Sequence, residues 1–424
     1  ITKSYCWRFS LNSSYQLLEI ESHSQSISFE KNQLKNCDYQ NRFSKVLRYA
    51  ENNRSVNING EQETKFDTMI DQASVLIPYG QSIDYDLKQD LEPRAYSTAT
   101  NSYLDNLDLN SMIRMGQTCV EKVIEKHSDL ACDVKISKSS QNLGLKTSSG
   151  SEFEFPLHSF SISSLITGCD EDNILFFSSS LNEPINSLAQ VDQFSDELLW
   201  HLELTQNLIE IESGNYPVMF HPQLVQQSLF EVIHTGFSSV YLENGSSPLL
   251  NKIGHKVLNE AIQLSQSGQH FPMDFNGYSS ETRSIFKDGI LNFMPVAPQI
   301  SKTLNKKTTS SNFDGKWFAD LTLKSGSKTF KELLKEMDSG IYLVMSGDLV
   351  MGNILQGDLN GTIQSGFWVE NGEIQGRIKN RSLGFNFYQG LGDKLIGLSK
   401  ESRRYGCSHY TESPYVLIDD IRIS

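Results

Sequence analysis

The chain has 424 residues, of which 38% are hydrophobic and 21% charged, enough for two or three compact domains with substantial cores. Lys and Arg total 37 against 51 Asp and Glu, and the resulting net charge of -14 argues against a nucleic-acid partner, whose phosphates an acidic surface repels. No run approaches the roughly 20 apolar residues of a membrane span, and residues 1–10 lack the apolar stretch of a leader, so no membrane association and a cytoplasmic location are expected.

In chain order, strands are expected over Tyr15–Glu21, Ser26–Glu30, Val46–Tyr49 and Ser55–Ile58, the last two joined by the polar turn Glu51-Asn52-Asn53-Arg54. Phe66, Met69, Ile70, Ala73 and Leu76 recur at helical spacing, with Thr64 as a candidate cap and Pro78-Tyr79-Gly80 as the stop. Residues 81–107 read as a connector. A second helix starts near Asp108 or Asn110, with Leu109, Met112, Ile113, Val120, Val123 and Ile124 on one face. Strands follow over Ala131–Ile136, Phe153–Ile166 and Ile174–Phe177, then a helix over Ser195–Glu212 and a strand over Tyr216–Phe220. Pro222 opens a further helix. Beyond about residue 270 the pairs Asn276-Gly277, Asp288-Gly289, Asp314-Gly315, Asn360-Gly361 and Asn371-Gly372 punctuate alternating apolar stretches, as tight hairpins require. Helices and strands are thus segregated. The fold class is α+β, an N-terminal α/β portion followed by a β-rich C-terminal domain, antiparallel and barrel- or sandwich-like. The expected divisions are residues 1–90, 91–213 and 214–424.

Chemistry is sparse along the chain. The nine histidines, at 23, 127, 158, 201, 221, 234, 255, 270 and 409, include no two that are three or four apart, and H-E-x-x-H is absent. Glu231 and His234, three apart on the helix opened by Pro222, share one face and form the nearest thing to a metal pair. His234 also stands one turn from the helix stop at Gly236, where an imidazole favours the dipole without any ligand. Two donors do not fill a zinc site. Cys407 and His409 offer a second weak pair. The six cysteines, at 6, 37, 119, 132, 169 and 407, form no C-x-x-C motif. A G-x-S-x-G elbow and a Walker A loop are both missing.

The segment Gly357-Asp358-Leu359-Asn360-Gly361-Thr362-Ile363-Gln364-Ser365-Gly366-Phe367-Trp368-Val369-Glu370-Asn371-Gly372-Glu373-Ile374 resembles the signature near the end of TldD/PmbA proteins. Gly214-Asn215-Tyr216-Pro217-Val218-Met219-Phe220 is similar to the strand that opens the last domain of that family. Met273-Asp274-Phe275-Asn276-Gly277, with Thr282-Arg283 and Lys287-Asp288-Gly289-Ile290-Leu291 after it, resembles a third family motif.

The resemblance implies a zinc metallopeptidase-like protein whose active members carry H-E-x-x-x-H on the helix after that strand. Here the corresponding slot reads Phe230-Glu231-Val232-Ile233-His234-Thr235. Phe230 and Thr235 stand where the imidazoles belong, and only Glu231 matches. Gly406-Cys407 stands at about the place of the family's cysteine ligand. The resemblance therefore points to the non-catalytic TldE/PmbA-type subunit. It would hold no cofactor of its own, with zinc in a homologous catalytic TldD-like partner, and would act with it on unstructured peptides or leader peptides. The subunits would pair as a heterodimer, or as a homodimer when this chain is isolated. Two alternatives stand beside this reading. One is an active metallopeptidase using Glu231, His234 and Cys407; the other is a non-proteolytic binding protein or modulator of DNA gyrase.

Overall fold

A computed structural model describes residues 13–93, 102–170, 173–182, 185, 187–313, 315–379, 381–406 and 410–424. The first half builds one antiparallel sheet. Its strands are β1 (Ser13–Glu30), β2 (Gln33–Glu51), β3 (Arg54–Gly60), β4 (Gln81–Ser82), β5 (Ala131–Thr147), β6 (Glu152–Asp170) and β7 (Asn173–Asn182), in the order β4-β3-β2-β1-β5-β6-β7. The expected strands Tyr15–Glu21 and Ser26–Glu30 are one, because β5 pairs with β1 continuously from Gln16 to Phe29. That same ladder crosses the expected division at residues 90 and 91, so residues on both sides of it belong to one sheet.

Helices cover the sheet. α1 (Phe66–Leu76) packs Met69, Ile70 and Ala73 on Leu47 and Ile58, and α2 (Ser102–Asn106) leads into α3 (Leu109–Lys126). Asp108 caps α3 by accepting the Ser111 N–H. Met112, Met115, Cys119, Val120 and Val123 then face Ile27, Phe29, Val134 and Ile136. Gly116 lets α3 approach the sheet, since a Cβ there would lie 2.4 Å from the Phe29 ring. α4 spans Leu188–Leu204, starting and ending earlier than expected. The residues after it leave the helix because β8 (Leu208–Ile209) pairs with a strand near the C-terminus.

The second half holds β9 (Gly214–Phe220), β10 (Leu264–Gln266), β11 (Arg283–Lys287), β12 (Ile290–Leu291), β13 (Leu321–Leu323), β14 (Gly340–Gly347), β15 (Asp358–Glu370), β16 (Glu373–Ile378), β17 (Arg381–Asn386), β18 (Leu395–Tyr405) and β19 (Thr411–Ile423). Five of these strands close into a ring. β9 pairs β14 in parallel, and β14–β15, β15–β17, β17–β19 and β19–β9 pair antiparallel. Closure removes sheet edges from this part of the fold. Phe220, Ile341, Leu343, Leu359, Ile363, Val416 and Ile418 belong to its core. The class is α+β with a barrel-like C-terminal half, as expected.

The turn chemistry was legible in part. Asp288-Gly289 and Asn371-Gly372 take left-handed backbone angles, with φ of 53° and 72° and of 54° and 72°, and join β11 to β12 and β15 to β16. Asn360-Gly361 does not turn; it lies within β15. A Cβ on Gly361 would come within 2.7 Å of the Gly347 carbonyl oxygen, so this glycine serves close backbone approach. Asp314 of the expected Asp314-Gly315 turn lies outside the described residues.

The helices of this half are α5 (Pro222–Leu224), α6 (Phe230–Gly236), α7 (Ser239–Glu243), α8 (Phe330–Met337) and α9 (Phe387–Gly390). A π-helical stretch, Val225–Leu229, joins α5 to α6. Leu198 and Leu202 of α4 share one core with Met219, Tyr342, Phe367, Tyr415 and Leu417 of the barrel, which ties the two halves together. No helix of the described residues is long and apolar enough to cross a membrane.

Candidate functional site

The expected metal-motif slot lies where β9 gives way to helix. His221 makes the turn. Its backbone is extended, its Nδ1 accepts the Gln223 N–H at 3.3 Å, and Pro222 follows at the first helical position. The chain then runs through the π-helical stretch, a widening often found at functional sites, into α6.

On α6, Phe230 is buried and Thr235 half-buried, and neither offers an imidazole. Glu231 and His234 share a face, as their spacing requires, and both meet the same dipeptide. Lys316 Nζ lies 2.9 Å from Glu231 Oε2, and the Trp317 N–H donates to His234 Nδ1 at 3.4 Å. His234 is buried beside the Phe318 ring, in the last turn of the helix. Cys407 and His409 lie outside the described residues. Among the described residues, no three His, Cys, Asp or Glu side chains are grouped so as to hold a metal ion. The residues of the described slot therefore do not fit zinc. They give one carboxylate and one imidazole, both already engaged, where a closed site needs four donors.

Around His221, where β9 ends, stands a polar cluster that the sequence did not reveal. α4 supplies Glu197 and His201, and the barrel supplies His221, Tyr342, Arg403 and Tyr415. Arg403 Nη2 donates to Glu197 Oε2 at 2.7 Å. His221 Nε2 faces Glu197 Oε1 at 3.4 Å. His201 Nε2 lies 3.1 Å from the Tyr342 hydroxyl. Burial would push the Glu197 carboxyl up, but His221 and Arg403 hold it at about 2. Burial, with the charges of His221 and Arg403, holds His201 down at about 3, so its imidazole is neutral. Burial likewise raises both phenols, Tyr415 to about 12. The cluster is an ionised carboxylate–guanidinium pair, Glu197 and Arg403, set beside His221, a neutral His201 and two neutral tyrosines. The only sequence signal for it was the Glu-x-x-x-His spacing of Glu197 and His201.

The Met273–Gly277 motif has a structural part to play. Asp274 is buried, and its carboxylate accepts the N–H groups of Asn276, Tyr278, Ser311 and Asn312 at 3.0, 2.8, 2.8 and 3.1 Å. Burial pushes its carboxyl up to about 6 against the pull of those donors. The loop so shaped reaches the N-terminal sheet. Arg48 Nη1 donates to Asn276 Oδ1 at 2.7 Å, and Gln16 Nε2 donates to the Asn276 carbonyl at 2.9 Å. Just before this motif in the chain, His270 Nδ1 lies 3.2 Å from the buried Asp320 carboxylate.

Solved structures share this arrangement of helix-backed sheet and barrel. TldE from Thermococcus kodakarensis superposes with a TM-score of 0.86 at 16% identity, covering 97% of this chain and 96% of that one. A Thermotoga maritima protein described as a candidate modulator of a DNA gyrase gives the same TM-score at 19% identity, with the same coverage. These likenesses define the fold class, a two-part α+β protein with a barrel-like second half.

The model of the PmbA/TldA metallopeptidase C-terminal domain matches residues 213–424, half of the chain. The chain belongs to the PmbA/TldD family. The metalloprotease PmbA homolog of Haemophilus influenzae is 32% identical over 176 residues, 39% of this chain and 37% of that protein. Metalloprotease PmbA of Escherichia coli O157:H7 is 29% identical over 144 residues, 32% of this chain and 30% of that protein. The matched stretches thus span about a third of these relatives' lengths.

Proposed function

We propose that this chain is the non-catalytic partner subunit of a TldD/TldE-type metallopeptidase acting on unstructured peptides or leader peptides in the cytoplasm. One observation carries the reading. The helix turn that would bear the metal ligands holds Phe230 and Thr235, and its remaining donors, Glu231 and His234, are taken up by Lys316 and Trp317. A chain with this turn gives zinc no closed set of ligands. The chain then holds no cofactor of its own, and zinc resides in a homologous TldD-like subunit.

Its contribution is shape. Among the described strands, β2 is unpaired on its outer side from Gln33 to Ser44, with side chains exposed on both faces over most of that length. Such an edge accepts an extended peptide through main-chain hydrogen bonds with little demand on its sequence. The homology of the two subunits favours a two-fold-like contact through equivalent surfaces, and an isolated chain would use the same contact to form a homodimer. The fold relative described as a gyrase modulator adds no nucleic-acid surface here, because a charge of -14 opposes one.

Tagged chain captured from its own cell tests the proposal. It should bring down a homologous H-E-x-x-x-H protein. A lone monomer, with no such protein captured, would count against the partner-subunit reading.

A further inference from the structure

We infer that Lys316 is an internal cation standing on the donor face of a latent Glu-x-x-His metal pair, so that an ammonium of the chain itself neutralises Glu231 in place of a divalent ion. The inference rests on the non-catalytic reading and explains how the slot stays closed to metal.

On an α-helix, residues three apart project from one face, and a Glu-x-x-His pair in that register is a recurrent chelating unit of helix-borne metal sites. Glu231 and His234 have that spacing on α6. Both side chains meet one pair of consecutive residues, Lys316 and Trp317. Lys316 Nζ meets Glu231 Oε2 at 2.9 Å, and the Trp317 N–H meets His234 Nδ1 at 3.4 Å. A metal taking Glu231 Oε2 would have to displace the ammonium.

Lys316 is held at this position from either side. It closes a turn with Phe313, each residue's N–H donating to the other's carbonyl oxygen, at 2.9 and 3.1 Å. Phe313 is fully buried, and on the far side buried Phe318 packs edge-on to Phe237 with ring centroids 5.4 Å apart. The backbone that carries the ammonium is therefore anchored in the core while its side chain reaches the helix. The pair remains part-exposed, 39% for Glu231 and 43% for Lys316, so a metal ion from solvent could reach the carboxylate once the ammonium is removed. A part-exposed ion pair adds little to folding, so its loss should leave the structure intact.

The test is Co2+ and Zn2+ titration of the full chain after chelator treatment, followed by calorimetry and by the visible absorption of bound Co2+. Wild type and Lys316→Arg, which keeps a cation, should show no uptake at this turn. Lys316→Met should gain affinity by about tenfold or more, the scale on which groups around a metal site tune binding. Adding Glu231→Gln to Lys316→Met should abolish the gain. Lys316→Gln gives the same readout if methionine disturbs folding. A folded Lys316→Met or Lys316→Gln protein that binds no better than wild type overturns the inference and leaves the non-catalytic reading in place. Stoichiometric zinc in wild type that Glu231→Gln releases overturns both.

Discussion

Replacing His201 with glutamine should make the protein more tolerant of acid. His201 is 1% exposed, and burial with the charges of His221 and Arg403 keeps it neutral down to about pH 3. In the unfolded chain an imidazole takes a proton near pH 6.5. Between those values the unfolded state binds a proton that the folded state refuses, so stability falls as the pH drops through that window. Each unit of pH below 6.5 costs about 1.4 kcal/mol, and from pH 7 to pH 5 the loss is about 2 kcal/mol. The figure at pH 5 depends mainly on the unfolded value, because the folded group is still unprotonated there. Glutamine can keep a hydrogen bond to the Tyr342 hydroxyl, which His201 Nε2 meets at 3.1 Å, but has no proton to gain. Urea unfolding of both proteins at pH 7 and pH 5 isolates the effect, since contributions from the other histidines cancel. Wild type should lose about 2 kcal/mol more than His201→Gln over that interval. Equal losses would show that His201 is charged in the folded protein, and the account of the cluster would fail.

Three further outcomes follow from the same geometry. Glu197→Gln removes the carboxylate that Arg403 and His221 hold at about 2; it should cost about 2–3 kcal/mol at pH 7, with the gap to wild type narrowing only below about pH 4.5, as chemical denaturation across pH would show. Phe367→Ala empties a fully buried position in the core shared by α4 and the barrel; it should cost about 3–5 kcal/mol and lower the thermal midpoint. Gly289→Ala places a Cβ 2.2 Å from the Leu258 carbonyl oxygen at a φ of 72°; it should destabilise the β11–β12 hairpin, seen as faster amide exchange there, at a cost of about 1–3 kcal/mol.

Local rules carried the sequence reading where the structure is local. Asn371-Gly372 and Asp288-Gly289 announced their hairpins because positive φ is a property of the residues themselves. Asp108 announced the start of α3 for the same kind of reason. Long-range pairing was not readable. β1 looked like two strands because Ser22-His23-Ser24-Gln25 carries no apolar residue, yet β2 on one side and the distant β5 on the other pair with it through that stretch. Asn360-Gly361 looked like a turn, although Gly361 is there to let β15 pass close to Gly347. The candidate site divides in the same way. That the slot lacks a second imidazole can be read from Phe230-Glu231-Val232-Ile233-His234-Thr235 alone. That Glu231 and His234 are already occupied cannot, because Lys316 and Trp317 arrive from more than eighty residues downstream. The cluster of Glu197, His201, His221, Tyr342, Arg403 and Tyr415 is still more scattered, and only the fold assembles it.

Zinc content and native mass of the assembly isolated from its own cell test the central claim most directly. The account predicts a complex of this chain with a homologous subunit that carries two helix imidazoles. The metal should remain with that subunit when the two are separated. Recovery of this chain alone, holding a full equivalent of tightly bound zinc, would contradict it.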